Sequence, residues 1–134
     1  MEIFYKNEFC QIEFDASVKV IFYKWYPTTI HINEEQFKEC LLSYRDLFKE
    51  LKYDKVLIDV SELLSPITVE LQTWIDTEIS LATVEAGLKK MALIASQNLL
   101  EQLSVELTLD EKNAQVIDVS YFEENKNALA WLLQ

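Results

Sequence analysis

Two hydrophobic periods alternate along this chain, and that alternation limits its fold more than any other feature. Lys55 to Val60 (KVLIDV) and Met91 to Ala95 (MALIA) are short apolar runs, the pattern of strands buried on both faces. Ahead of the first run, Phe37, Cys40, Leu41, Tyr44, Leu47, Phe48 and Leu51 recur at helical spacing. Glu34, Glu35, Lys38, Glu39, Arg45 and Lys49 fall on the opposite side of that helix. Strands that alternate with helices imply parallel pairs joined by right-handed crossovers.

The remaining elements follow from the same patterns. Cys10, Ile12 and Phe14 alternate with Gln11 and Glu13, which predicts a strand over Phe9 to Phe14. Val18 to Tyr26 is rich in β-branched and aromatic residues and predicts a second strand, ended by Pro27. The short Asp15-Ala16-Ser17 link makes these two an antiparallel hairpin. Asn33 with Gln36 three residues on is a capping-box pattern at the start of the long helix. Ser65-Pro66 offers an N-cap and a first helical residue to a second helix, from about Ile67 to about Ala86. Asn98 caps a third helix carrying Leu99, Leu100 and Leu103. Val116 to Val119 is the last strand, and a closing helix runs from about Phe122 to Leu133. The predicted order is β-β-α-β-α-β-α-β-α, an α/β fold with a mixed sheet, an N-terminal antiparallel hairpin and a single domain over residues 1–134.

Composition excludes several function classes. The net charge is −11, from 12 basic and 23 acidic side chains. Nucleic acid and anionic lipid surfaces both demand clustered Lys and Arg, so neither is expected. A basic protein partner is compatible with this charge. Gly87 is the only glycine, which rules out a glycine-rich phosphate loop. Cys10 and Cys40 are too few for a disulfide framework and sit in apolar patterns, the mark of buried free thiols in a reducing cytoplasm. No signal-peptide pattern and no run of about 18 apolar residues is present, so a cytoplasmic protein without a membrane span is expected.

Three segments together resemble the STAS domains, named for sulfate transporters and anti-sigma-factor antagonists, and more closely their small bacterial SpoIIAA-like relatives. Val56-Leu57-Ile58-Asp59-Val60-Ser61 is similar to that family's apolar strand ending in Asp-x-Ser. Lys90-Met91-Ala92-Leu93-Ile94 is similar to its next strand, and Phe122 with Ala128-x-x-Trp131-Leu132 to its closing helix. The resemblance implies a regulatory or protein-interaction domain without catalysis. It also implies a phosphoserine in the turn before the second helix, where this chain offers Ser61 and Ser65. Asp59 to Pro66 lacks the glycine of the family's Asp-Ser-Gly turn, which points to a distinct branch.

Each candidate site carries a plainer alternative. A phosphate on Ser65 would be favoured by the free amides of a helix N-terminus, but an ordinary cap explains Ser65-Pro66 with no further reason needed. Ser61 is a weaker cap, and Glu62 beside it would repel a phosphate. In a regular helix, Glu78 falls inside the stripe Leu71, Ile75, Ala82 and Ala86, flanked by Trp74 and Leu81. A carboxylate in an apolar seam needs a partner or a raised pKa, which would suit a binding or acid–base group. If Glu78 instead lies at a rim, Trp74 and Leu81 become an apolar surface patch for a partner.

His31 is the only histidine and lies in a loop, so neither a Ser-His-Asp arrangement nor a zinc site is expected. Asp59 and Asp118 each end a strand at the parallel sheet's carboxyl edge, where α/β ligands bind and paired carboxylates can hold a metal or do acid–base work, but such residues more often cap loop amides. Phe22, Tyr23, Trp25 and Tyr26 crowd one strand, where they either stack a flat ligand or divide between core and surface. No metal and no cofactor is expected. Two functions remain open. One is an interaction domain that binds a protein partner or itself. The other is a binder of a small apolar or amphipathic, lipid-like ligand held between helix and sheet.

Overall fold

The computed structural model describes residues 1–96 and 117–134. Among the described residues six strands form one mixed sheet in sequential order: β1 (Glu2–Lys6), β2 (Cys10–Asp15), β3 (Val20–Trp25), β4 (Lys55–Asp59), β5 (Lys90–Ile94) and β6 (Asp118–Phe122). The pairs β1–β2 and β2–β3 are antiparallel, and β3–β4, β4–β5 and β5–β6 are parallel. The α/β class, the mixed sheet and the antiparallel β2–β3 hairpin are therefore as the sequence predicts.

The order departs from expectation at the N-terminus, where β1 precedes the hairpin. Its five residues, EIFYK, are almost all exposed, so no alternation of buried and polar positions marks it in the sequence. Pairing with β2 creates it instead, with the register broken between Ile3 and Tyr5. The last strand also begins later than predicted. Asp118 opens β6 opposite Lys90 at the amino end of the parallel sheet, so it is not a carboxyl-edge residue. Phe122 ends that strand rather than starting the closing helix. The helix expected after Asn98, with Leu99, Leu100 and Leu103, lies outside the described residues.

The long helix α1 (Glu34–Leu51) forms as its capping box dictates. Asn33 accepts from the Gln36 amide at 2.8 Å, and the Gln36 side chain accepts from the Asn33 amide at 3.0 Å. Phe37, Cys40, Tyr44, Leu47 and Phe48 are its buried stripe. Lys52 ends it in the left-handed conformation, with φ 56°.

The second helical run starts at α2 (Val69–Trp74), widens into a π-helical turn (Ile75–Ser80) and continues as α3 (Leu81–Glu85). Ser65 does not cap it. Thr68 does, accepting from the Leu71 amide at 3.1 Å. A start at Pro66 would place the β-branched residues Ile67, Thr68 and Val69 together in the first turn, where each loses χ1 freedom. Gly87 lies just past α3 with φ 116°, a conformation that glycine adopts without a Cβ penalty.

The π-helical turn decides which face of this run is buried. Leu71, Ile79 and Thr83 are buried, and Ile75 packs beside them. These four residues are spaced at fours. Three such steps would rotate the row by about 120° around a regular α-helix, at about 100° per residue. A wider π turn takes more residues per revolution and keeps the row in line. The threonines favour this geometry, since Thr77 Oγ1 donates to Thr73 O at 2.7 Å and competes for a ladder carbonyl.

Two cores flank the sheet. On the first face Cys10, Ile12, Ile21, Tyr23, Trp25 and Val56 pack against α1 and the 69–85 run. An aromatic column ties β3 to α1: Tyr23 stacks on Trp25 at 4.8 Å, Trp25 on Phe37 at 4.9 Å, and Tyr23 meets Tyr44 at 5.2 Å. On the second face Val20, Leu57, Ala92 and Ile94 pack against Ala128 and Leu132 of α4 (Asn125–Leu132). Trp131 anchors that side, 5.8 Å from Phe122 and with Lys90 Nζ 5.0 Å above its ring.

Candidate functional site

A groove of about 260 Å³ opens on the second face of the sheet, beside α4. Helix dimensions explain why it is there. A helix about 10 Å across covers roughly two strand spacings of about 4.8 Å. Helix α4 contacts β4, β5 and β6, and the groove lies over β2, β3 and the carboxyl end of β4.

Strand register sets the groove's chemistry. Gln11, Lys24 and Asp59 lie side by side across β2, β3 and β4, and Glu13, Phe22 and Leu57 form the neighbouring row. Phe22 and Leu57 make an apolar floor, with Leu129 and Asn125 of α4 as one wall. Gln11 is held by Tyr26, whose hydroxyl donates to Gln11 Oε1 at 2.9 Å. Asp59 caps the loop after β4: its Oδ1 accepts from the Ser61 amide at 3.0 Å and from the Ser61 hydroxyl. Among the described residues Lys24 and Glu13 take part in no ion pair and no side-chain hydrogen bond. The aromatic strand thus divides: Tyr23 and Trp25 face the core, while Phe22 floors the groove.

The helical run places Trp74, Glu78 and Leu81 elsewhere. Trp74 and Glu78 lie along the rim where that run meets α1. Trp74 is half-buried, with Lys38 Nζ 5.2 Å above its ring. Glu78 does not enter the apolar seam, because the π-helical turn brings Ile79 inward in its place. It stands exposed, 3.8 Å from Arg45 Nη1. Leu81 is also exposed.

Ser61 and Ser65 belong to the loop after β4. Ser61 is exposed but committed to Asp59, so a phosphate there would sit against Asp59 and Glu62. Ser65 is half-buried, its hydroxyl 3.4 Å from Pro66 O. The loop is tied to the 3-10 turn Pro27–His31 through the Leu64 amide, which donates to the buried Thr29 Oγ1 at 2.9 Å. Ile30, Leu64, Ile67 and Val69 are all exposed at this carboxyl end of β3 and β4. His31 closes the turn and is exposed.

Both cysteines are fully buried, on β2 and α1. The hydrogen bond with Cys40 and then burial push the Cys10 thiol well up. The same contact, helped by the Asn7 amide at 3.3 Å, pulls Cys40 down and makes it the more acidic thiol. Burial raises the neighbouring Tyr23 and Tyr44 hydroxyls, and neither has a hydrogen-bond partner of good geometry.

Among the described residues no cluster of three or more His, Cys, Asp or Glu could hold a metal ion. None of the described helices is long and apolar enough to cross a membrane. No protein-family model, curated protein or solved structure matches the chain.

Proposed function

We propose that this chain is a non-enzymatic interaction domain of the STAS type that holds a protein partner at the carboxyl end of β3 and β4. The observation that carries this reading is the exposure of four apolar side chains there, with Val69 80% and Ile30 63% exposed. Single exposed apolar residues are ordinary, but a group on two tethered segments marks a contact surface. The net charge of −11 selects a partner whose apolar contact is ringed by Lys and Arg. A hairpin followed by parallel strands with intervening helices supports the STAS comparison. Ser65 lies in the same loop, where a phosphate would change the surface directly, and intact-mass measurement of native protein tests for it.

The test is capture from native extract with wild type and with Ile67→Ser plus Val69→Ser. Both positions are exposed, so the urea midpoint should hold. The reading predicts loss of a specific partner and a salt-sensitive residual contact. An unchanged partner list with the double variant would overturn it.

A second reading, a binder of a small amphipathic molecule, is favoured by the groove beside α4. Its apolar floor and unpaired charges are the composition expected of a ligand site.

A further inference from the structure

We propose that the groove over β2, β3 and β4 takes a small zwitterion with an apolar body, of the class of free apolar α-amino acids. This assignment rests on the groove being a ligand site and goes further by naming what it holds.

Charge placement is the first support. Lys24 stands beside Asp59 in the parallel register, yet the two make no ion pair, and Asp59 Oδ1 is occupied by Ser61. Glu13 is opposite Phe22, so it sits diagonally across β2–β3 from Lys24. Diagonal neighbours on adjacent strands are about 7–8 Å apart at the backbone, within reach of long side chains, yet Lys24 and Glu13 form no ion pair and stand near enough to share one ligand. A carboxylate on the Lys24 side and an ammonium on the Glu13 side would satisfy both groups at once. A ligand of one sign would gain one contact and oppose the other. An uncharged apolar ligand would strip water from both charges without replacing it.

Size and floor supply the second support. The groove's 260 Å³ falls below the roughly 300–1,000 Å³ of sites for drug-sized molecules. A long acyl chain is therefore a poor fit, and a branched or aromatic side chain on Phe22, Leu57 and Leu129 is a good one.

The experiment is titration of the full chain, followed by amide shifts in NMR, with leucine and phenylalanine as probes. Leucinamide, which lacks the carboxylate, and 4-methylpentanoate, which lacks the ammonium, are the controls. We expect saturable shifts centred on Phe22, Lys24 and Leu57 with the amino acids. Each control should bind about tenfold or more weaker, the scale of one charge-assisted contact. Lys24→Met should weaken leucine by a similar factor without weakening leucinamide, whose ammonium it no longer opposes. Glu13→Gln should do so without weakening 4-methylpentanoate, whose carboxylate it no longer opposes. If 4-methylpentanoate or leucinamide binds as tightly as leucine, the zwitterion is overturned while the groove remains a ligand site. If no probe shifts groove amides while the urea midpoints match wild type, both this assignment and the ligand reading of the groove are overturned.

Discussion

Arg45 on α1 meets Glu78 in the π-helical turn, Nη1 to Oε2 at 3.8 Å, across the seam where two helices cover the sheet. Two turns back along α1, and one turn back along the facing run, Lys38 lies over Trp74. Two cations of α1 thus close the edge of an apolar layer, one against a carboxylate and one against a ring. The pair is open to water, with the Glu78 side chain 54% exposed and that of Arg45 23%. Exposed pairs of this kind contribute about 0–1 kcal/mol. Glu78→Gln should therefore shift stability by no more than about 0.5 kcal/mol, read as the urea midpoint. A loss of several kcal/mol would return Glu78 to the buried seam.

Ile79 should behave in the opposite way. It is buried against the first-face core, where removing three carbons leaves a cavity as well as losing burial. Ile79→Ala should cost about 2–5 kcal/mol, and Ile75→Ala, at the partly buried edge of the same row, less. The order of these two with Glu78→Gln, measured in one denaturant series, checks the face assignment made by the π-helical turn.

That turn also marks where the sequence stops being legible. Strands β2 to β5 announce themselves because each carries its own apolar set, and α1 because its cap and stripe agree. At a regular 3.6 residues per turn, Glu78 would replace Ile79 in the core of the 69–85 run. The bulge-like widening comes from hydroxyl–carbonyl competition and from packing on α1, neither visible in a hydrophobic period. Strand β1 was hidden for a related reason: its identity lies in backbone pairing to β2, not in its side chains. The groove was half-legible. Strand-end Asp59 and the aromatic crowding of β3 were visible, but only the cross-strand register sets Lys24 beside Asp59 and Glu13 beside Phe22.

The start of the second helical run gives a direct contrast. Thr68 caps through its side chain, while Ser65 lies three residues upstream with no amide to satisfy. Thr68→Ala should cost about 1 kcal/mol, and Ser65→Ala should lie within about 0.5 kcal/mol of wild type. Equal losses, read by thermal or urea unfolding, would move the helix start back to Pro66.

Tyr23 and Tyr44 make stability fall at high pH. Burial raises both hydroxyls above their ordinary value, and for Tyr23 the adjoining thiols of Cys10 and Cys40 add to it. Below about pH 10 folded and unfolded chains both keep these protons, so the two groups impose no pH dependence. Above it the unfolded chain releases them and the folded chain does not, so the unfolded state gains and stability declines as pH rises. Each tyrosine contributes up to about 1.4 kcal/mol per pH unit to that decline. Tyr23→Phe and Tyr44→Phe should each flatten the slope of urea midpoint against pH above about 10. Near neutrality each should match or slightly exceed wild-type stability, because the hydroxyl removed has no good hydrogen-bond partner to lose. Tyrosinate absorbance, followed in folded protein through the same range, checks the cause independently: of the six tyrosines, Tyr23 and Tyr44 at least should resist ionisation until the chain unfolds. Ionisation of all six before unfolding, or an unchanged slope in the double variant, would mean that the buried hydroxyls are not the source of the alkaline loss.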